Sequence, residues 1–331
     1  YGGSGLGVTE ASILLHEICA AGAGTSGASP IHFYVFPPMP LIKHGSEALK
    51  RRFLPQVAAG EIIMSFGVTE PNAGTDTSRI QTRAEKKGDC WVINGRKVWT
   101  TNAQHATRIL LLARTTPREE VATKPFKGMT LFFADFDRSR ITVREIEKLG
   151  RAAVDSNEIF IDNLEVPEED VVGQVGEGFY HLLDSLNPER ILTGIEAVGI
   201  GKAALERAVQ YAKERVVFDR PIGKNQAIAH PLAQAWARLE TAELMCWKAA
   251  WLFDHGRPCG AEANTAKLMA AEAGFEACDV ALQTFGGYGY AKEFYVERLW
   301  REIRLYKIAP VSQQMVLNYL SEHVLGLPKS Y

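Results

Sequence analysis

Apolar side chains recur three and four positions apart at both ends of this chain, and in the middle they fall in short runs broken by turn residues. Near the start, Ala11, Leu14, Leu15 and Ile18 sit at helical spacing and predict a helix with that face inward. A second helix is predicted from Glu47 to Ala58, stopped at Gly60, and residues 7–60 read as helical. Between residues 61 and 172 the texture changes to β-branched or aromatic runs: Ile62 to Val68, Cys90 to Ile93, Arg108 to Ala113, Met129 to Phe133 and Asn157 to Ile161. Asn94-Gly95 directly after one such run predicts a hairpin turn. Gly173 to Gly178 then leads into four long amphipathic segments, roughly 177–213, 226–254, 261–284 and 293–307, and a shorter one at 312–324. In the second, Leu232, Trp236, Leu239, Leu244, Trp247 and Trp251 mark the face expected to be buried. The predicted class is α+β: an N-terminal helical part (1–60), a compact antiparallel, barrel-like β domain (61–172) and a C-terminal four-helix bundle (173–331).

Composition narrows the class. A hydrophobic content of 46% and a charged content of 23% suit a globular protein with a sizeable core, not a disordered chain. A formal net charge of −2 argues against nucleic acid as the main partner, because phosphate binding needs a basic excess. No apolar run reaches the length of a membrane span. The five cysteines form no CxxC pair and are odd in number, which predicts free thiols in a reducing compartment. The expected location is the cytoplasm in a bacterium or the mitochondrial matrix in a eukaryote. Cys246 and Cys278 sit in apolar helical stretches and are expected to pack. The chain opens at Tyr1-Gly2-Gly3 without a methionine, and an upstream segment is expected.

Four segments carry candidate chemistry. The β zone holds Val68-Thr69-Glu70-Pro71-Asn72-Ala73-Gly74-Thr75-Asp76 and Lys97-Val98-Trp99-Thr100-Thr101-Asn102. The bundle holds Arg215-Val216-Val217-Phe218 with Gln226, and Gln283-Thr284-Phe285-Gly286-Gly287-Tyr288-Gly289. Their order and spacing over nearly the whole chain resemble the acyl-CoA dehydrogenase family, whose members bind FAD. That resemblance implies flavin contact by Phe66, Val68, Thr69, Trp99 and Thr101. It also implies pyrophosphate and CoA-side contact by Gly74 and Thr75, and FAD contact by Arg215, Phe218, Gln226, Gln283, Gly286, Gly287, Ser312 and Gln313. Each segment has a physical rationale. An isoalloxazine ring is flat with a polar edge, so Trp99 offers a stacking face, and Thr69, Thr101 and the strand-end amides offer edge partners. Backbone amides after a turn can approach phosphate at Gly74-Thr75, and Gly286-Gly287 permits close backbone approach. The plainer alternatives are a Trp99 that fills the β core, a surface turn at Gly74, a solvated Arg215 beside a buried Phe218, and a helix C-cap at Gly286.

The catalytic base is the point of departure. Removing a weakly acidic α-proton from a thioester needs a positioned carboxylate and a stabilised enolate. Many family members carry that Glu in a Tyr-Glu-Gly-Thr-Ser-like segment near the chain end. The corresponding stretch here is Tyr306-Lys307-Ile308-Ala309-Pro310-Val311-Ser312-Gln313, without a carboxylate. The isovaleryl- and long-chain-specific members instead place the base on the first bundle helix, just before an Arg. Leu186-Asn187-Pro188-Glu189-Arg190 matches that arrangement, which implies Glu189 as base and Asn187, Arg190 and Thr75 as substrate contacts. The alternatives are a first-turn helix carboxylate for Glu189 and a surface ion pair for Arg190. Glu196, one heptad later, is a competitor that matches no family catalytic position. In relatives the thioester oxygen is held partly by the backbone amide at the C-terminal Glu position. Pro310 would lack that amide hydrogen, whereas Ala309 would supply it.

The reading is an FAD-dependent acyl-CoA dehydrogenase in which Glu189 takes the α-proton and flavin N5 accepts the β-hydride. The resemblance further implies an electron-transfer flavoprotein as electron acceptor. It implies a homo-oligomer, a dimer of dimers, in which bundle residues reach a neighbour's FAD. A flavin oxidase or monooxygenase of the same fold and a non-catalytic acyl-CoA-binding paralogue stay open as rivals.

Overall fold

The computed structural model describes residues 1–330. In chain order its helices are α1 (Val8–Ala20), α2 (Gly24–His32), α3 (Met39–His44), α4 (Glu47–Ala58), α5 (Gly178–Glu214), α6 (Gln226–Asp254), α7 (Gly260–Phe285), α8 (Val296–Ile303) and α9 (Gln313–Tyr319). Its strands are β1 (Met64–Gly67), β2 (Arg83–Lys87), β3 (Cys90–Thr101), β4 (Arg108–Arg114), β5 (Met129–Asp135), β6 (Ile141–Glu145), β7 (Ser156–Pro167), β8 (Val171–Val172), β9 (Val216–Val217) and β10 (Arg220–Pro221). Two compact units result. One takes Tyr1–Gly5, Phe33–Lys148 and Ala152–Leu186; the other takes Leu6–His32, Leu149–Arg151 and the chain from Asn187 onward.

The first unit is built on an eight-stranded sheet in the order β6-β7-β3-β2-β4-β5-β8, with β1 added on β4. Pairing is antiparallel except for β1 and β2 against β4. Every residue of β4 is buried, and its alternating side chains serve two cores. Leu110 and Leu112 join Leu49, Phe53 and Leu54 of α4; Ile109, Leu111 and Ala113 join Trp91, Ile93 and Ile159. The hairpin expected at Asn94-Gly95 is not there. Strand β3 continues through it with a register shift, and the chain reverses earlier, between Lys87 and Cys90, where Gly88 has φ +59°. The reason is steric. A Cβ on Gly95 would lie 2.4 Å from Thr82 Oγ1, so this glycine serves a close strand approach in a bulge, not a turn.

The second unit centres on the bundle part of α5, where every residue from 191 to 200 is buried. Small residues let its neighbours close in. A Cβ on Gly199 would meet the His16 carbonyl of α1 at 2.7 Å, and one on Gly274 of α7 would meet the Ala197 carbonyl at 2.5 Å. The buried face expected for α6 holds at Leu232 and Leu239, with Trp247 half-buried, and fails at Trp236, Leu244 and Trp251. Its inner face is Leu232, Ala235, Leu239, Ala242, Cys246, Ala249 and Ala250. Trp236, Leu244 and Trp251 point outward at 58%, 70% and 46% exposure. Close helix contact selects the small stripe and rejects the bulky one. The same holds in α1, where Leu15 is buried with Ser12, His16 and Cys19 while Leu14 is exposed. Cys246 and Cys278 are fully buried, as expected, and burial pushes both thiols up. Distant carboxylates cap the two N-terminal helices. Asp254 accepts the Val8 and Thr9 amides of α1 at 2.8 Å, and Glu302 accepts the Thr25 amide of α2 at 2.8 Å. No helix among the described residues is long and apolar enough to cross a membrane.

Candidate active site

In the β unit, the end of β1 and the bulge of β3 form one rim. Phe66, Val68 and Thr69 stay partly exposed. Gly67 between them turns inward, where a Cβ would lie 3.0 Å from the Ile109 and Leu111 side chains. The Val98 amide donates to the Thr69 carbonyl at 2.9 Å and ties the two segments together. Beneath them Lys97 is fully buried, and its ammonium donates to Glu70 Oε1 at 2.9 Å and to the Val68 carbonyl at 3.0 Å. Burial pulls Lys97 down to about 8, against the opposing effect of Glu70. Burial pushes the Glu70 carboxyl up, but Lys97, Thr82 and the Gln81 amide outweigh it and hold the group below its usual value. The strand bulges between Lys97 and Thr100, turning those two inward and Trp99 outward. Trp99 is 57% exposed at φ +62°, so it does not fill the β core. Thr101 lies just below the surface, and its carbonyl accepts Ser65 Oγ at 2.6 Å. Gly74 and Thr75 follow the tight Glu70–Ala73 bridge, both exposed, with open space where a Gly74 Cβ would point.

In the helical unit, α5 ends in the small β9–β10 hairpin and α7 ends at Gly286, which has φ +60°. Gly286 is the C-cap residue of α7, as the plainer alternative had it, but its ψ of −133° is not the left-handed helical cap. These two ends enclose a cleft of about 610 Å³ whose lining includes Arg215, Gly286 and Gly287, together with Tyr211, Tyr288 and Glu293. Among the described residues, the one side-chain partner of Arg215 is the Tyr288 ring, 5.8 Å from the guanidinium. Cβ atoms on Gly286 and Gly287 would meet nothing. Phe218, Gln226 and Gln283 are exposed and do not line the cleft. Phe218 stands 94% exposed at the hairpin tip with φ +52°, which corrects the alternative of a buried Phe. Ser312 caps α9 through the Met315 amide, and Gln313 donates to Glu272 at 3.2 Å. Tyr211, which the sequence analysis did not single out, and Tyr288, within its Gln283–Gly289 segment, both line the cleft.

Glu189 lies well inside α5, not in its first turn, and Pro188 is within the helix. Its carboxylate is partly exposed and takes no hydrogen bond from the described residues. Loss of hydration pushes it up to about 7, against the lowering effects of His32, Arg190 and Lys267. Arg190 donates to Asn187 Oδ1 at 3.1 Å, while its buried Nε has no hydrogen-bond partner. Burial lowers the Arg190 guanidinium. Lys267 of α7 is buried, donates to the Val311 carbonyl at 2.6 Å, and is drawn down to about 8 by burial and by Arg190. The sequence offered one signal for it: a lysine inside Ala266-Lys267-Leu268-Met269. The competitor Glu196 is locked. His32 Nδ1 lies 2.7 Å from one of its oxygens, and Tyr306 donates its hydroxyl to the other at 2.5 Å. The Ala309 amide donates to the Leu305 carbonyl at 2.9 Å, and Pro310 has no amide hydrogen to offer.

Known proteins place this geometry. Three domain models, acyl-CoA dehydrogenase N-terminal, middle and C-terminal, match residues 1–61, 65–164 and 176–325. Acyl-CoA dehydrogenase fadE12 of Mycobacterium bovis is 39% identical over 336 residues, covering 100% of this chain and 84% of that protein. Among solved structures, butyryl-CoA dehydrogenase from Megasphaera elsdenii superposes with a TM-score of 0.92 at 31% identity, over 97% of this chain and 83% of that one. A glutaryl-coenzyme A dehydrogenase in complex with glutaryl-CoA gives 0.93 at 32% identity, over 100% and 83%. The fold and site define a flavin-dependent oxidoreductase. The chain belongs to the acyl-CoA dehydrogenase family, whose members bind FAD. The residues present fit that cofactor: an arginine without a carboxylate partner and two open glycines at one cleft, and an exposed tryptophan beside polar strand ends on the β unit.

Proposed function

We propose that Glu189 is the base that removes the α-proton of an acyl-CoA thioester, giving the trans-2-enoyl-CoA product. One observation supports this above the others. Of the two carboxylates on this face of α5, Glu196 is held by two partners, while Glu189 is half-buried, takes no hydrogen bond from the described residues and is shifted to about 7. A base poised near the working pH keeps both its deprotonated population and its driving force. FAD, when bound, supplies the acceptor for the β-hydride. Trp99, Thr69, Thr101, Phe66 and Val68 would face its ring system. Gly74 and Thr75 would face its pyrophosphate. Arg215, Phe218, Gln226, Gln283, Gly286 and Gly287 would complete the FAD site of a neighbouring copy of the chain, and Ser312 and Gln313 would also contact FAD. Asn187, Arg190 and Thr75 would orient the CoA thioester. An electron-transfer flavoprotein would take the electrons, and the protein would work as a homo-oligomer.

The deciding experiment is anaerobic flavin bleaching with a panel of acyl-CoAs. Glu189→Gln keeps size and hydrogen-bonding capacity but cannot accept a proton. It is expected to retain FAD and acyl-CoA while flavin reduction falls by at least the roughly 10²–10⁴-fold typical of general-base loss. Glu196→Gln is expected to change the rate far less. Near-normal bleaching in Glu189→Gln would end the base assignment.

A further inference from the structure

The deepest charge in the β unit takes no part in the chemistry above. Lys97 is 0% exposed, and Glu70 is 6% exposed. Burying an ammonium and a carboxylate costs several kcal/mol unless every donor and acceptor is matched. Here the matching is dense. Glu70 Oε1 accepts Lys97 and the Thr82 amide (2.9 Å each), and Oε2 accepts the Gln81 amide at 2.6 Å. Lys97 spends a second hydrogen on the Val68 carbonyl at 3.0 Å. An apolar pair of the same shape would hold a strand as well, so stability alone does not call for this arrangement.

Its placement does. Val68 and Thr69 precede Glu70 directly, and Trp99 follows Lys97 by two residues. The Glu70–Ala73 bridge fixes the turn that leads to Gly74 and Thr75. Drawing Lys97 inward sets the phase of the bulge that turns Trp99 out at φ +62°. The same ammonium clamps the carbonyl of the residue whose backbone forms the opposite side of the rim. A single buried contact therefore fixes the polar edge, the aromatic face and the following turn against one another.

We infer that the Glu70–Lys97 pair is a positioning device that sets the geometry of the flavin-facing rim. This rests on the reading that Trp99 and residues 66–69 face the flavin. Both residues act through others and touch no reacting atom. Removing the ammonium frees the Val68 carbonyl and leaves Glu70 as an uncompensated buried charge, so the rim relaxes even where the sheet persists.

The test compares four single variants of the full-length holoprotein by thermal melting, FAD affinity and visible circular dichroism of the bound flavin. Lys97→Met removes the charge and keeps the length. Glu70→Gln keeps the shape and is the milder probe should Lys97→Met fail to fold. Trp91→Leu, at the far end of the same strand, is the control for lost stability alone. Trp99→Leu checks the reading of the rim itself. The expected result is a loss of FAD affinity of about tenfold or more and an altered flavin dichroism in Lys97→Met and Glu70→Gln. Trp91→Leu should lower the melting temperature and leave the dichroism unchanged. If Trp99→Leu perturbs the flavin while Glu70→Gln leaves affinity and dichroism as in the parent, the positioning role is wrong. If Trp99→Leu itself has no effect on the flavin, the placement of the rim is wrong instead, and the inference falls with it.

Discussion

A half-buried carboxylate that no described residue bonds behaves unlike one that folding has tied down, and α5 carries one of each. For Glu189, folding raises the pKa from its ordinary 4.5 to about 7. The native state therefore holds a proton that the unfolded chain releases, and stability declines as pH rises through that window. The full cost, on the order of 2–3 kcal/mol, is in place above about pH 7. Glu189→Gln should accordingly melt several degrees higher than the parent at pH 8. The gain should shrink towards pH 5, where the parent carboxyl is already protonated when folded. Calorimetry at the two pH values checks the sign, and an equal shift at both would contradict it. The same proton predicts that kcat/KM climbs as pH passes through about 7 and then levels. Glu196→Gln should instead lower the melting temperature at neutral pH, since it weakens the acceptor for both His32 and Tyr306. A loss of about 1–3 kcal/mol is the scale for such a change.

Helix α5 meets α7 through Ala197 and Gly274. Glycine to alanine inside a helix ordinarily gains about 1 kcal/mol. At Gly274 the added methyl would lie 2.5 Å from the Ala197 carbonyl, so Gly274→Ala should destabilise by roughly 1–3 kcal/mol, in the range of overpacking. Chemical denaturation measures this, and a gain in stability would mean the helices can part at little cost. The contact also explains what the sequence made legible and what it did not. Helix positions followed from apolar spacing: α4 and α6 were read at the residues where they occur, and α5 and α7 within one residue at each end. The facing of α6 was partly misread because hydrophobicity favours Trp and Leu over Ala, whereas close packing favours small residues. Asn94-Gly95 misled for a related reason. A glycine needed for room looks the same in sequence as one needed for a positive φ. Around the proposed base, Glu189 was singled out only by the resemblance of its Pro-Glu-Arg context. Lys267, His32 and Tyr306 were not, because their partners are distant in sequence.

At the scale of the molecule, the bulky residues excluded from the bundle interior remain on its surface. Trp236 is exposed beside a groove lined by Leu205, Val209 and Leu232, and Leu244 and Trp251 are exposed further along α6. Under the proposed homo-oligomer this face meets a second copy, and Leu244→Glu should weaken assembly and release FAD together. Sedimentation with flavin absorbance tests the linkage, and an unchanged oligomer that keeps its flavin would show that assembly uses another face. The way the chain is shared out also affects its synthesis. Residues 6–32 belong to a unit that, apart from Leu149–Arg151, otherwise begins at Asn187, and their helix caps, Asp254 and Glu302, come later still. At about 5–20 residues per second, the first helices leave the ribosome roughly 8–30 s before the first residues of α5 that they pack against. Throughout that interval Leu15 and Cys19, both fully buried in the finished fold, lack the α5 and α6 surfaces that α1 later packs against. A nascent chain ending before Asn187 should therefore be cut by protease within residues 6–32 while its β strands resist, and the protection of those first helices should arrive only with the bundle.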